Sequence, residues 1–204
     1  VDVNGYAGQQ AIAAGTRGNL RLDQQGGVVT SMLHGRYYEQ ARNGNVFFAA
    51  NQAATAVSVA LATTYTGLCL SNPAGNTKNL VLLKVNFALS VAPAAIAPIG
   101  LIGGYLSTGI VTHTTALAAS STTIGTGPAA TAKADGAATL VGTPMWIHPM
   151  QGGFTAAALP SSAPALLDME GSIIIPPGAY VAIGALTAVT GFGGMIWEEV
   201  PIIS

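Results

Sequence analysis

The sequence predicts an all-β protein, an antiparallel β-sandwich or barrel preceded by an extended N-terminal arm. Three observations carry this. The closing stretch from Asp168 to Pro201 packs three short apolar runs into about thirty-four residues, each bounded by Gly or Pro. Alternation with a period of two runs through Val57, Val59 and Leu61, and again through Val85, Phe87 and Leu89. Apolar residues at helical spacing never persist beyond about two turns, which leaves no long helix to form a second layer.

The elements follow in order. Residues 1–27 show no sustained period and are rich in Gly, Ala, Asn and Gln, with Ala11 to Ala14 making one helical turn at most. They read either as a disordered terminus or as an arm that orders against a neighbour, with Arg17, Arg21 and Asp23 as its anchors. Residues 28–204 read as the sandwich domain. Val28 to Gln40 reads as a strand with a polar face carrying His34, Arg36 and Glu39, and Arg42-Asn43-Gly44-Asn45 as a type I′ hairpin turn returning into Val46-Phe47-Phe48. Strands are expected over Thr55 to Leu61 and Tyr65 to Leu70. A turn-rich loop, Ser71 to Asn76, leads into Leu80 to Val91, with a bulge near Lys84 where the alternation changes phase. Ile96 to Thr114 reads as two strands around Gly103-Gly104, Ala118 to Gly136 as a long surface loop, and Thr139 to Met150 as a strand. Gln151 to Pro164 is a second loop, and Leu166 begins the closing sheet. There, Pro176-Pro177-Gly178 breaks Ile173-Ile174-Ile175 from Tyr180 to Ile183, and Gly191, Gly193 and Gly194 mark a turn before Met195 to Pro201.

Composition narrows the function. Half of the 204 residues are hydrophobic, but only 7% are charged, against roughly 25% in ordinary soluble domains. A chain so poor in charge is expected to cover much of its surface with partner subunits. A net charge of −1 argues against nucleic acid, which needs clustered Lys and Arg. Asn86 to Ala132 carries no Lys, Arg, Asp or Glu, but its prolines, glycines and hydroxyls, and the lack of flanking positive residues, favour buried strands over a membrane span. The N-terminal residues lack the basic and apolar regions of a signal peptide. Cys69, the single cysteine, sits between leucines as a small buried hydrophobe.

No motif calls for chemistry. His34, His113 and His148 share no metal-ligand spacing with one another or with Cys, Asp or Glu. Asp168 and Glu170 at i, i+2 read as a solvated strand edge that deters edge-to-edge pairing. Glu198 and Glu199 point to opposite faces of a regular strand, one of them toward an arginine. Gly75-Asn76-Thr77-Lys78 lacks the spacing of a phosphate loop, and no nucleophile-elbow, zinc-protease or Walker pattern occurs. With so few groups for general acid–base work, neither an enzyme nor a cofactor or metal site is expected.

Three segments carry a resemblance: Gly35 to Gln40, GRYYEQ; Leu70 to Leu83, with its SNPAGN turn and KNLVLL strand; and Glu170 to Pro201, EGSIIIPPGAYV to WEEVP. Together they resemble structural proteins of tailed bacteriophages, in particular the small trimeric jelly-roll proteins that decorate or cement capsids. The resemblance covers most of the chain past Gly27. It implies a jelly-roll sandwich, a homotrimer, the major capsid protein as partner, a place on the capsid surface of the virion, and no catalytic residues. Partner contacts are then expected at Arg17, Arg21, Asp23, Arg36, Tyr37 and Tyr38. A trimeric receptor-binding or fibre domain is the alternative, with Tyr37, Tyr38, Tyr105 and Trp146 as the aromatic residues for a platform.

Overall fold

A computed structural model describes residues 35–59, 61–106, 110–151 and 165–202. The arm with Arg17, Arg21 and Asp23, and most of the loop expected before Pro164, lie outside the described residues. The chain divides into two compact units, Val1–Tyr38 and Glu39–Ser204. The described part of the first is a turn in which the Tyr38 N–H donates to the Gly35 carbonyl at 2.9 Å.

One short helix, α1 (Tyr38–Arg42), precedes the strands β1 (Val46–Ala50), β2 (Thr55–Val57), β3 (Thr64–Ser71), β4 (Lys78–Leu89), β5 (Ile99–Tyr105), β6 (Thr112–Leu117) and β7 (Ser120–Ser121). Then come β8 (Lys133–Thr139), β9 (Met145–Gln151), β10 (Ala165–Ile175), β11 (Ala179–Ala185) and β12 (Val189–Pro201). They form two antiparallel sheets, ordered β10-β4-β12-β1-β7, with β2 also on β12, and β6-β8-β3-β11-β5-β9. The pairing is that of a long hairpin wound on itself: β1 with β12, β3 with β11, β4 with β10 and β5 with β9. Those eight strands, four to a sheet, make a jelly roll. The excursion β6-β7-β8 adds β6 and β8 beside β3 and β7 beside β1.

The core explains the sequence pattern. Along β12, Val189, Met195 and Trp197 face inward, and the Trp197 ring stacks on Phe47 of β1 with centroids 6.2 Å apart. Leu68, Leu70, Leu80, Leu82, Ile99 and Ile183 fill the space between the sheets. A second cluster, including Tyr65, Cys69, Ile102, Leu140 and Tyr180, covers the other face of the second sheet. Hence β11 is buried along its whole length and reads as a continuous apolar run rather than an alternation. Cys69 is fully buried, as its leucine neighbours imply.

Several expected elements differ. Of the strand expected from Val28 to Gln40, Tyr38 to Gln40 open a helix; Tyr-Glu-Gln-Ala-Arg has no β-branched residue, and Glu39 pairs with Arg42 one turn on at 3.7 Å. Asn43-Gly44 ends that helix instead of turning a hairpin. Gly44, at φ 75°, donates to Ala41 O while Asn45 N–H donates to Gln40 O. Both a type I′ turn and this helix cap need a left-handed residue, so Asn-Gly alone cannot tell them apart. The strand expected over Thr55 to Leu61 stops at Val57. Gly103-Gly104 and Gly191 to Gly194 lie inside β5 and β12 rather than at turns. A Cβ at Gly104 would strike the Tyr180 phenol at 2.6 Å, so the glycines there make room rather than bend the chain. The long loop expected up to Gly136 ends at Lys133, where β8 begins. The bulge near Lys84 is present: Ile196 faces Lys84 but Trp197 faces Leu82, leaving Leu83 as the extra residue.

Candidate functional site

Pro201 and Lys78 pair at the ends of β12 and β4, beside a buried carboxylate. Glu199 is 1% exposed. Its Oε1 accepts the Thr131 and Ala132 N–H groups at 2.7 and 3.0 Å, and its Oε2 accepts the Thr131 hydroxyl at 2.7 Å and Lys78 Nζ at 3.2 Å. Burial raises its pKa, but these donors outweigh it and hold the carboxyl below its ordinary range. Lys78 is therefore engaged inside the subunit, and the partner expected to be an arginine is this lysine. Asn72 lies beside the same loop. Its side chain donates to the Lys78 and Ile175 carbonyls at 2.9 Å each, and its backbone bonds Ala179 and Gly178. It thereby clamps the Pro176-Pro177-Gly178 turn where the chain passes from the first sheet to the second.

A second buried carboxylate was not legible in sequence. Asp135 is fully buried on β8, and its Oδ2 meets His113 Nδ1 of β6 at 2.7 Å, while its Oδ1 has no partner among the described residues. Burial pushes its pKa up, with His113 pulling the other way. Only the β6–β8 register joins the two, and the expected surface loop had placed Asp135 in solvent. Cys69 sits opposite Asp135 across the β3–β8 ladder, and burial, with the neighbouring Asp135 charge, drives its thiol pKa upward. The pair thus has a protonated, enclosed thiol beside it rather than a reactive thiolate. Among the described residues, no three His, Cys, Asp or Glu side chains converge to hold a metal.

The expected contact residues are not brought to one place. Arg17, Arg21 and Asp23 lie outside the described residues. The Arg36 guanidinium stands 5.8 Å from the centroid of the Tyr37 ring, and Tyr38 begins α1. Tyr105 is exposed at the end of β5, and Trp146, also exposed on one side, lies with its ring over Gly100 and Gly184. Asp168 and Glu170 do not share the face of a regular strand. Glu170 takes φ 47°, Gly171 follows at 84°, and the ladder is irregular between Asp168 and Ile173. As the sequence implied, they mark a sheet edge, and Asp168 meets Lys84 at 3.7 Å.

The outer face of the first sheet exposes Leu166, Ile174 and Phe192, while Val46 on the same face is buried. Register sets three rows across it: Val46, Glu198, Val81 and Ile174; then Phe48, Ile196, Lys84 and Asp168; then Ala50, Gly194, Asn86 and Leu166. A groove of about 450 Å³ runs between Phe48, Asn86, Phe192 and Ile196. The face is mixed, with Glu198, Lys84, Asp168 and Asn86 among its apolar side chains. Glu198 points onto it, opposite in direction to Glu199, and burial raises its pKa. Among the described residues no helix is long and apolar enough to cross a membrane. No protein-family model, curated protein or solved structure matches the chain.

Proposed function

We propose that the chain is a structural protein of a virus particle, a capsid decoration or cement protein that binds the major capsid shell from outside as a homotrimer. The surface carries this reading. Seventeen large apolar side chains stand exposed among the described residues, in a chain with only 7% charge. A free monomer gains nothing from that surface, whereas a subunit that is always covered gains apolar burial at about 25 cal/mol per Å². Obligate interfaces of this kind run to about 2,000 Å² or more.

The three segments that carry the phage resemblance support the scaffold part of the reading. Gly35 to Gln40 opens the helix, Leu70 to Leu83 contains the Asn72 clamp, and Glu170 to Pro201 supplies β11 and β12. Glu199 serves the fold through its bonds to Thr131, Ala132 and Lys78, and on this reading the subunit acts by binding.

The test is reconstitution. Purified protein is mixed with phage shells lacking it, and the particles are pelleted and imaged. Expected are hundreds of copies distributed over the shell. A few copies at the tail or vertices would support the fibre reading instead, and no binding would overturn both.

A further inference from the structure

The charged side chains of the sandwich are almost all paired within it. Arg42 meets Glu39, Lys78 meets Glu199, Lys84 meets Asp168, and His113 meets Asp135. Arg36 and Glu170 also have partners. Among the described residues this leaves one anion and one cation without an ion pair or side-chain hydrogen bond, Glu198 and Lys133.

Their placement is informative. Glu198 lies on the outer face of the first sheet in a row with the buried Val46, the half-buried Val81 and the exposed Ile174. A carboxylate among aliphatic side chains loses hydration without gaining a counter-charge, an arrangement that a partner cation would relieve. Lys133 is exposed on the outward side of the second sheet, in a row with Ser71 and Tyr180. It borders a depression of about 350 Å³ lined with Ala116, Leu117, Ala129 and Ala130, with His113 at its side. The two residues occupy the same end of the sandwich, because Glu199 bonds to Thr131 and Ala132 just before Lys133. They point to opposite sides of it.

We infer that the partner of the first sheet's outer face is a second copy of this chain, with Glu198 of one subunit pairing with Lys133 of the next. This rests on the proposed self-association and names its contact. One flank carries the anion amid apolar side chains, and the other carries the cation beside an apolar depression. Two different surfaces meet, so the contact is heterologous. A heterologous contact closes a ring only where the rotation between copies closes, and the homotrimer proposed above requires that it does. A two-fold contact would instead set Glu198 near Glu198 and leave Lys133 unused.

The experiment uses the full chain and analytical ultracentrifugation. Glu198→Lys and Lys133→Glu each set like charges against each other and are expected to weaken self-association by at least about tenfold. The double variant restores opposite charges in exchanged positions and is expected to return to nearly the wild-type constant. Neither side chain has an ion pair or side-chain hydrogen bond among the described residues, so all three should keep the wild-type thermal midpoint. Glu198→Gln and Lys133→Gln, which introduce no repulsion, should weaken association less and remove part of its salt dependence. Single variants that associate like wild type, or a double variant no better than the singles, would overturn the pairing, as would a wild type that stays monomeric. Shell binding is a separate readout. A protein that coats shells yet ignores the charge exchange refutes this contact and leaves the decoration reading standing.

Discussion

Two carboxylates buried in one sandwich respond to pH in opposite directions. Glu199 is held below its ordinary pKa by its donors, so its contribution to stability is present above the unfolded-state value and lost as pH falls through the folded one. Glu199→Gln keeps the shape but puts a donor among donors. It is expected to cost about 2–3 kcal/mol at pH 7, at the lower end because Lys78 keeps contact with water, and to lose that deficit in acid. Asp135 is raised by burial. Its contribution is therefore fully present below the unfolded-state value and declines as pH rises through the folded one. Asp135→Asn retains an acceptor for His113 and removes the charge. It is expected to match or exceed wild-type stability at pH 7, with the advantage shrinking toward pH 4. Urea unfolding across that range checks both, and parallel pH curves for the two variants would refute the assignment.

Elements are decided by what glycine is doing in each. Gly191 lies inward on β12, where an added Cβ would collide with the Ala88 carbonyl of β4 and the Phe87 ring. A backbone oxygen in a ladder cannot retreat, so Gly191→Ala is expected to cost about 2 kcal/mol or more. Gly75, in the β3–β4 loop, has open space around its Cβ position and no positive φ. Gly75→Ala is expected to be neutral or to stabilise by about 0.5 kcal/mol, because it restricts the unfolded chain. Denaturant midpoints for the pair compare a packing glycine with a turn glycine. Both looked like turn signals in the sequence, and only one is.

At the scale of the molecule, the first core strand pairs with the last: Val46 lies opposite Glu198. β12 also pairs with β4 and β2, so the first sheet has no centre until the C-terminal segment arrives. Folding must close its longest loop to complete that sheet, which predicts slow refolding, in milliseconds to seconds. A chain ending before Val189 should not fold at all. Stopped-flow fluorescence of Trp197, which is fully buried in the core, follows the first prediction, and circular dichroism of the truncated chain tests the second.

Sequence by itself determined the class and much of the strand list. Alternating apolar residues bury one face, and Gly and Pro punctuation limits strand length; both are local properties of a chain. The bulge near Lys84, the buried Cys69 and the opposed Glu198 and Glu199 followed from the same local logic. The tertiary structure decided what depends on neighbours distant in sequence. Asn43-Gly44 caps a helix because Tyr38 to Arg42 wind up before it, and the glycines of β5 and β12 are set by side chains on other strands. Asp135 and His113 meet because β6 and β8 pair, and Lys78 meets Glu199 because β4 and β12 pair. Register brings such residues together, and register is set by the winding of the whole sheet rather than by any segment of it.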